Sequence, residues 1–306
     1  MANSQDLQDL KDPQRFEIFN RHRGLLFSIA YRMLGSAADA EDMVQESYIR
    51  WRPAAEMELR APRACLVTVV SRLCINHLQS ARVQREEYLG QWLPEPLVTG
   101  PLDGGPSEIA CIDQSLSMAF LVLLEKLNPT ERAVFLLREV FDYEYAEISP
   151  ILGLNEANCR QILRRARQHI ADKRPRFEAS QQQHESLLHE FVEATSRGDL
   201  DGLVALLSKD VVFHSDGGGK APALPNPVYG SVNVGRAILG GLQRLVPQGL
   251  VRRTAEINGK PGIISYLDGR PYAVLTIDIV EGFIASIYIV SNPEKLERLP
   301  RPNAPS

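Results

Sequence analysis

YEYAEISPILGLNEANCRQILRRARQHIADKR, residues 143–174, reads as two short helices joined by a tight turn. Cys159, Ile162, Leu163, Ala166 and Ile170 recur at helical spacing and predict one buried seam on the second helix. Its other faces carry Asn158, Arg160, Gln161, Arg164, Arg165, Arg167 and Gln168. Upstream, Tyr145, Ala146, Ile148 and Leu152 make a shorter apolar stripe. Gly153 can take the left-handed conformation that ends a helix, and Asn155 can cap the next one. Pro150 falls late in the first helix, where its missing N–H should kink or shorten it. A short helix, a glycine turn and a basic helix form the outline of a helix-turn-helix, whose second helix lies in the DNA major groove. A helical hairpin with a solvated basic face would share this outline. From Asn155 to Glu178, however, seven Lys or Arg stand against three Asp or Glu, in a chain of net charge −4. A basic helix on an acidic protein is a local electrostatic footprint.

The totals narrow the classes. A chain of 306 residues implies two or three domains, and 44% hydrophobic with 24% charged residues is an ordinary globular composition. The net acidity means that any nucleic-acid contact is local. No apolar run reaches the roughly 20 residues that span a bilayer, and the polar N-terminus MANSQDLQDLKD lacks signal-peptide character, so no membrane partner is expected. Cys65, Cys74, Cys111 and Cys159 are scattered without metal-ligand spacing among apolar neighbours. They predict buried free thiols in a reducing cytoplasm, with no metal and no cofactor.

Residues 13–82 read as wholly helical. Pro13–Leu34 places Phe16, Phe19, Leu26, Ile29, Ala30 and Met33 on its apolar positions, and Gly35 ends it. The next helix runs to about Trp51 behind the N-cap Ser36 and buries Ala40, Met43, Val44, Tyr48 and Trp51. Its opposite face presents Asp39, Glu41, Asp42, Gln45 and Glu46, with no base between Asp39 and Ser47. Such a face should seek a basic partner. A third helix, about Pro62 to Arg85, turns Leu66, Val69, Val70, Leu73 and His77 inward and Arg63, Arg72, Asn76, Gln79, Ser80, Arg82 and Arg85 outward. Arg and Asn on such a face suit phosphates and unstacked bases.

From Tyr88 to Ser107 the composition changes. Trp92-Leu93-Pro94-Glu95-Pro96 opens a stretch with further prolines at 101 and 106, which reads as a linker. Trp92, Leu93 and Leu97 are more apolar than a free linker needs, so this linker should dock. Helices are then expected over Ile109–Leu127 and from Pro129, at its first position, to Arg138 or Val140.

At this point the chain resembles the extracytoplasmic-function group of the sigma-70 family of bacterial RNA polymerase initiation factors. SAADAEDMVQESYIRW resembles the region 2 helix that binds the polymerase β′ clamp. APRACLVTVVSRLCINHLQSARVQRE resembles the following helix, which melts and reads the −10 element. LNPTERAVFLLREVFDYEYAEISPILGLNEANCRQILRRARQHI resembles region 4, which reads the −35 element and sits on the β flap. The resemblance implies core RNA polymerase and promoter DNA as partners. It makes Asp39, Glu41, Asp42, Gln45 and Glu46 the polymerase face and Arg72, Asn76, Gln79 and Arg82 the −10 contacts. Asn158, Arg160, Gln161, Arg164, Arg165 and Arg167 become the −35 contacts. Arg160, Gln161 and Arg164 suit base edges, and Arg165 and Arg167 suit phosphates.

Compact members of that group end soon after region 4, whereas this chain continues for about 120 residues. Lys173–Gln183 reads as a second linker or a fraying helix end. Helices follow at His184–Ser196 and Leu200–Leu207, then a strand at 211–213, the irregular stretch HSDGGGKAPALPNPVYG, and a helix at Asn233–Leu245. VRRTAEI, GIISYL, YAVLTIDIV and FIASIYIV are separated by Asn258-Gly259, Asp268-Gly269 and Glu281-Gly282, the signature of an antiparallel meander. The order resembles the SnoaL-like cone related to nuclear transport factor 2, an α+β fold with a curved antiparallel sheet. Sigma factors with a fused SnoaL-like domain carry a WLPEP-type linker, a DGGGK loop and an NP(D/E)KL segment. Here these are Trp92–Pro96; Asp216, Gly217, Gly218, Gly219 and Lys220; and Asn292, Pro293, Glu294, Lys295 and Leu296. The resemblance implies regulation in cis, in place of a separate anti-sigma protein.

The expected fold is therefore multidomain. Two all-α units occupy 1–88 (region 2) and 108–178 (region 4), joined by a linker at 89–107, with the α+β cone at 179–306. The leading function is promoter recognition, with no catalysis by the chain itself. The alternative is a cone that binds a small molecule or acts as an enzyme and so controls a DNA-binding helical module. His214, Asp216 and Asp278 are its acid/base candidates, though fold does not imply function. A plain helix-turn-helix repressor explains neither the acidic helix nor residues 13–82. The triple glycine and Lys220 can bind an anion, and Glu95 is the expected one, with the DGGGK loop clamping the linker and the NPEKL segment beside it.

Overall fold

Helical periodicity in the first half and two-residue alternation in the last third become two compact units in a computed structural model. It describes residues 13–51, 61–86, 88–100, 116–171, 179–245 and 247–301. The first unit takes Met1–Val83 with Leu123–Asp172, and the second takes Gln84–Val122 with Lys173–Ser306. No helix among the described residues is long and apolar enough to cross a membrane.

The first unit is all α: α1 Pro13–Leu34, α2 Ala37–Trp51, α3 Pro62–Glu86, the end of α4 Met118–Leu124, α5 Pro129–Glu139, α6 Tyr145–Leu152 and α7 Glu156–Ala171. Most expected seam residues are buried, including Leu26, Ile29 and Met33 of α1, Val44 and Trp51 of α2, and Leu66, Val70 and Leu73 of α3. Phe16 departs from expectation. It is 54% exposed and offers only a ring edge to Tyr48. The start of α5 is fixed by reciprocal bonds. Asn128 Oδ1 accepts from Glu131 N at 2.9 Å, Glu131 Oε2 accepts from Asn128 N at 3.2 Å, and Pro129 fills the first turn. The helix expected from Ile109 is described only from Met118; residues 101–115 lie outside the described chain. Cys74 and Cys159 are buried free thiols, with burial raising both pKa values, and Cys65 is half-buried. Cys111 lies outside the described residues.

The second unit is α+β. Helices α8 Gln181–Arg197, α9 Leu200–Leu206, α10 Ser231–Leu245 and α11 Pro293–Leu296 accompany a sheet. Its strands are β1 Leu207–Asp216, β2 Val228–Tyr229, β3 Val251–Ile257, β4 Lys260–Leu267, β5 Arg270–Val280 and β6 Phe283–Val290. The three hairpin turns all put two residues at positive φ: 52° and 72° at Asn258-Gly259, 49° and 71° at Asp268-Gly269, 53° and 83° at Glu281-Gly282. That geometry matches strand twist, and even glutamate is held to it. The order is β2-β1-β6-β5-β4-β3. Two expectations change here. His214, Ser215 and Asp216 belong to β1 rather than to the irregular loop, and β1 pairs parallel to β6, so the sheet is mixed. The parallel pair forms because the chain crosses over through α10 and the whole meander before β6 reaches β1.

Both faces of this sheet are covered. On one, α8, α9 and α10 bury Phe191, Leu203, Val234 and Ile238 against Val211, Phe213, Ile263 and Ile287. On the other, Leu93 of the proline stretch and Met118 pack on Ile264, Tyr266, Val274, Tyr288 and Val290. Strand alternation makes this division, since neighbouring residues point to opposite faces.

His184 of α8 is 3% exposed with Nε2 unpartnered by any described group, and burial lowers its pKa to about 4 from 6.5. The folded form therefore resists a proton that the unfolded chain accepts. Its contribution is complete above pH 6.5 and is lost as the pH falls toward 4, up to about 3 kcal/mol. Hydrogen exchange of β4 and β5 amides in the intact chain should show stability falling over that window, and His184→Gln should flatten the slope.

Candidate functional site

In the first unit the helix-turn-helix forms as its residues dictate. Gly153 takes φ 68° to end α6, and Asn155 Oδ1 accepts from Asn158 N at 2.8 Å to start α7. Pro150 sits in the last turn of an eight-residue helix, so it limits length without breaking the fold. Cys159, Ile162, Leu163, Ala166 and Ile170 are all buried. Asn158, Arg160, Gln161, Arg164, Arg165 and Arg167 are all exposed. Two of these cations are already paired: Arg160 with Glu156 at 2.6 Å, over the Tyr145 ring at 4.9 Å, and Arg167 with Glu139 at 2.6 Å. Arg164 and Arg165 have no ion pair among the described residues.

On α2, Asp42 and Gln45 are exposed, Glu41 is half-buried and Glu46 pairs with Arg50 at 2.7 Å. Asp39 lies 3.7 Å from His77 Nε2 on α3, a contact beyond the packing role expected for that histidine. Of the α3 candidates, Asn76 and Gln79 are exposed, and the Arg82 side chain lies outside the described residues. Arg72 is engaged elsewhere. Its Nε donates to Ile151 O at 2.9 Å and its Nη2 to Pro150 O at 3.0 Å, capping the carbonyl end of α6. Arg63 donates to Tyr143 Oη at 3.2 Å and lies over that ring, and buried Arg132 donates to Met33 O at 2.6 Å. Helices α1–α3 and α5–α7 are thus cross-linked within one unit by three arginines.

The second unit contains a latch on the proline stretch. Asp216, at the end of β1, is 0% exposed. Its Oδ1 accepts from Tyr88 Oη at 2.6 Å and from Gly218 N at 3.0 Å; its Oδ2 accepts from Leu93 N at 2.9 Å and pairs with Lys295 Nζ at 2.6 Å. Its backbone carbonyl accepts from Ser291 N and Asn292 N. Lys295 also donates to Leu93 O and lies under the Trp92 ring, 4.2 Å from its centroid. Asn292 caps α11 and donates to Tyr88 Oη at 2.9 Å. Burial, then the bond to Asp216, raises the Tyr88 pKa, so the phenol keeps its proton. Farther along, Leu97 N donates to Asn258 Oδ1 at 3.1 Å and Thr99 N to Glu256 O at 2.9 Å, adding the stretch to the β3 edge.

These contacts bring together the WLPEP, DGGGK and NPEKL segments but overturn the Lys220–Glu95 pair. Lys220 pairs with Glu294 at the surface, while buried Glu95 faces Arg298 at 4.0 Å. The third glycine explains the displacement. Gly219, at φ 70°, approaches Leu89 so closely that an added Cβ would lie 2.8 Å from it, and Lys220 then leaves the turn outward. Tyr88, Gln91 and Asn258 were missed in the sequence. Only Tyr88, an aromatic residue beside the prolines, offered a signal there.

On the opposite face of the sheet lies a cavity of about 200 Å³. Phe213, Ser215, Ile289 and Ser291 line it, while His214 and Asp216 point away. His214 stacks on Tyr288 at 5.2 Å and bonds Gln91 through Nδ1 at 3.0 Å. Asp278 is not on the wall, and the described lining carries no carboxylate or imidazole.

Removing Lys295 leaves a buried carboxylate without its cation. Lys295→Met should therefore cost about 3–5 kcal/mol and raise hydrogen exchange at Leu93 N on the order of 100-fold. Lys220→Ala breaks an exposed pair and should cost under about 1 kcal/mol.

The chain matches the family models for sigma-70 region 2 over residues 18–83 and sigma-70 region 4 over residues 117–170. It is 37% identical over 296 residues to the ECF RNA polymerase sigma factor SigJ of Mycobacterium tuberculosis, covering 93% of each chain. It is 31% identical over 280 residues to SigI of the same organism, described as a probable ECF RNA polymerase sigma factor, covering 91% of this chain and 93% of the relative. The crystal structure of SigJ aligns with a TM-score of 0.74 at 36% identity, over 92% of this chain and 97% of that one. With both sigma-70 regions present in order, and relatives matched along nearly their whole length, the chain belongs to the extracytoplasmic-function group of the sigma-70 family of RNA polymerase sigma factors.

Proposed function

We propose that this sigma factor directs core RNA polymerase to promoters through α2, α3 and α7, and that docking of its proline linker on the C-terminal unit regulates it in cis. The working segments are residues 1–88, 89–107, 108–178 and 179–306. Asp39, Glu41, Asp42, Gln45 and Glu46 face the β′ clamp, region 4 sits on the β flap, and the protein works in the cytoplasm. Asn76 and Gln79, with Arg72 once it leaves α6 and Arg82, meet the −10 element. The recognition helix meets the −35 element.

The observation that carries this reading is α7, with its apolar seam wholly buried and Arg164 and Arg165 exposed and unpaired among the described residues. A displaced acidic partner is not needed to free them. The linker contacts supply the regulatory half, because whatever holds residues 92–99 limits how regions 2 and 4 separate.

In transcription with purified core polymerase, Arg165→Ala should weaken promoter binding uniformly across sequences and reduce the salt slope by about 1. Arg164→Ala should instead relax preference at one −35 position. Undiminished transcription after both substitutions would count against α7 as the −35 reader.

A further inference from the structure

We infer that the cavity is a binding site for a small, largely apolar organic anion, and that filling it holds the proline linker in its docked position. The second half rests on the regulatory reading above; the first does not.

The wall sets the chemistry. Phe191, Phe213, Ile263, Leu275 and Ile289 supply an apolar body site. Among the described residues the one charged side chain on it is that of Arg252, which is exposed and whose guanidinium has no ion pair or hydrogen bond there. Ser265, its cross-strand neighbour, adds a hydroxyl, and Tyr272 another. A cation finds no counter-charge there, whereas a carboxylate finds a guanidinium, which suits its geometry. A volume of about 200 Å³ exceeds the roughly 150 Å³ that admits benzene, which suits a one- or two-ring body.

The room is made by glycine. Gly241 lies within α10 on the cavity wall, and a Cβ built there meets nothing within 4 Å. Glycine is the weakest helix former after proline. At this position any side chain would enter the cavity.

The cavity shares its rim with the latch. Ser215 Oγ accepts from Leu224 N at 2.8 Å, and Ser291 Oγ donates to Asp216 O at 3.2 Å and Pro222 O at 3.3 Å. Both serines line the cavity, and each precedes a latch residue, Asp216 or Asn292. A ligand touching these serines and the 222–224 rim binds the arrangement in which Asp216 grips the linker. It must therefore shift the chain toward that arrangement.

The test is calorimetric titration of the full chain with 2-naphthoate, neutral 2-naphthalenemethanol and 2-naphthylmethylammonium. Naphthoate should bind roughly 10-fold tighter than the alcohol, as a charge-assisted bond allows, and the ammonium should not bind. Arg252→Gln should erase the preference without unfolding the unit. Gly241→Leu, or Ala237→Leu from the preceding turn, should abolish binding of all three. Equal binding of anion and cation, wild-type binding by both filled variants, or no binding of any probe would overturn the site. Saturating naphthoate should also slow hydrogen exchange at Leu93 N and Leu97 N at least 10-fold; unchanged exchange with the probe bound would overturn the coupling. A failure of the latch itself looks different: Asp216→Asn would leave linker exchange at the wild-type rate while naphthoate still bound.

Discussion

A carboxylate removed from water must find its hydration shell in protein, and Asp216 finds all of it in three otherwise separate segments. The phenol of Tyr88 and the amide of Leu93 come from the linker side, the amide of Gly218 from its own turn, and the ammonium of Lys295 from the C-terminal tail. A buried ion pair adds little stability compared with an apolar replacement, but it tolerates no missing partner. Its consequence is therefore specificity of arrangement. The linker is fixed in register at Leu93, which presents both an N–H to Asp216 and a carbonyl to Lys295. The aromatic rings of Trp92 and Tyr88 flank the same ammonium, so the apolar docking and the ionic contact are satisfied together or lost together.

The sheet is packed on both faces. Phe213 and Ser215 face the cavity while His214 and Asp216 face the linker, and the same alternation separates Ile289 and Ser291 from Tyr288 and Val290. Exposed sheet edges invite unwanted pairing, and the Val98–Ile257 bridge covers part of the β3 edge with the linker. Departure of the linker would remove Leu93 from the cluster it shares with Ile264, Tyr266, Val274 and Val290, exposing apolar area that water would oppose. The docked state is thus held by burial as much as by Asp216. A regulator must offer the linker or the sheet something in exchange.

What was legible in the sequence follows from what kind of signal each feature leaves. The α7 seam and the meander strands were legible because periodicity and turn dipeptides are local. Even Glu281-Gly282, the weakest of the three turns, is held to the same positive φ pair by the strands it joins. Docking of the linker was legible from Trp92, Leu93 and Leu97, whose burial needed a partner. The ion pairing was not. Lys220 and Lys295 are equally charged in sequence, and depth alone decides that Lys295 neutralises Asp216 while Lys220 meets Glu294 near the surface. In the short α11 one residue of register separates those outcomes. The parallel β1–β6 pair was equally hidden, since strand partners distant in sequence leave no local mark.

Arg72 gives the first unit its own constraint. The last carbonyls of α6 have no intrahelical donors, and Gly153 turns the chain away before backbone groups can satisfy them all. The Arg72 guanidinium supplies two donors, to Pro150 and Ile151, from a helix whose neighbouring outward residues, Asn76 and Gln79, are exposed. If α3 reads single-stranded bases with that same arginine, reading and capping compete for one group, because a planar fork cannot serve both at once. Freeing that arginine would entail opening this unit. The carbonyl end of α6 must pass to water, and Arg63 and Arg132 must release Tyr143 and Met33 at the same time if the two regions part as rigid bodies. Three arginine contacts of individually modest strength would thus act as one cooperative closure between α1–α3 and α5–α7, held or released together.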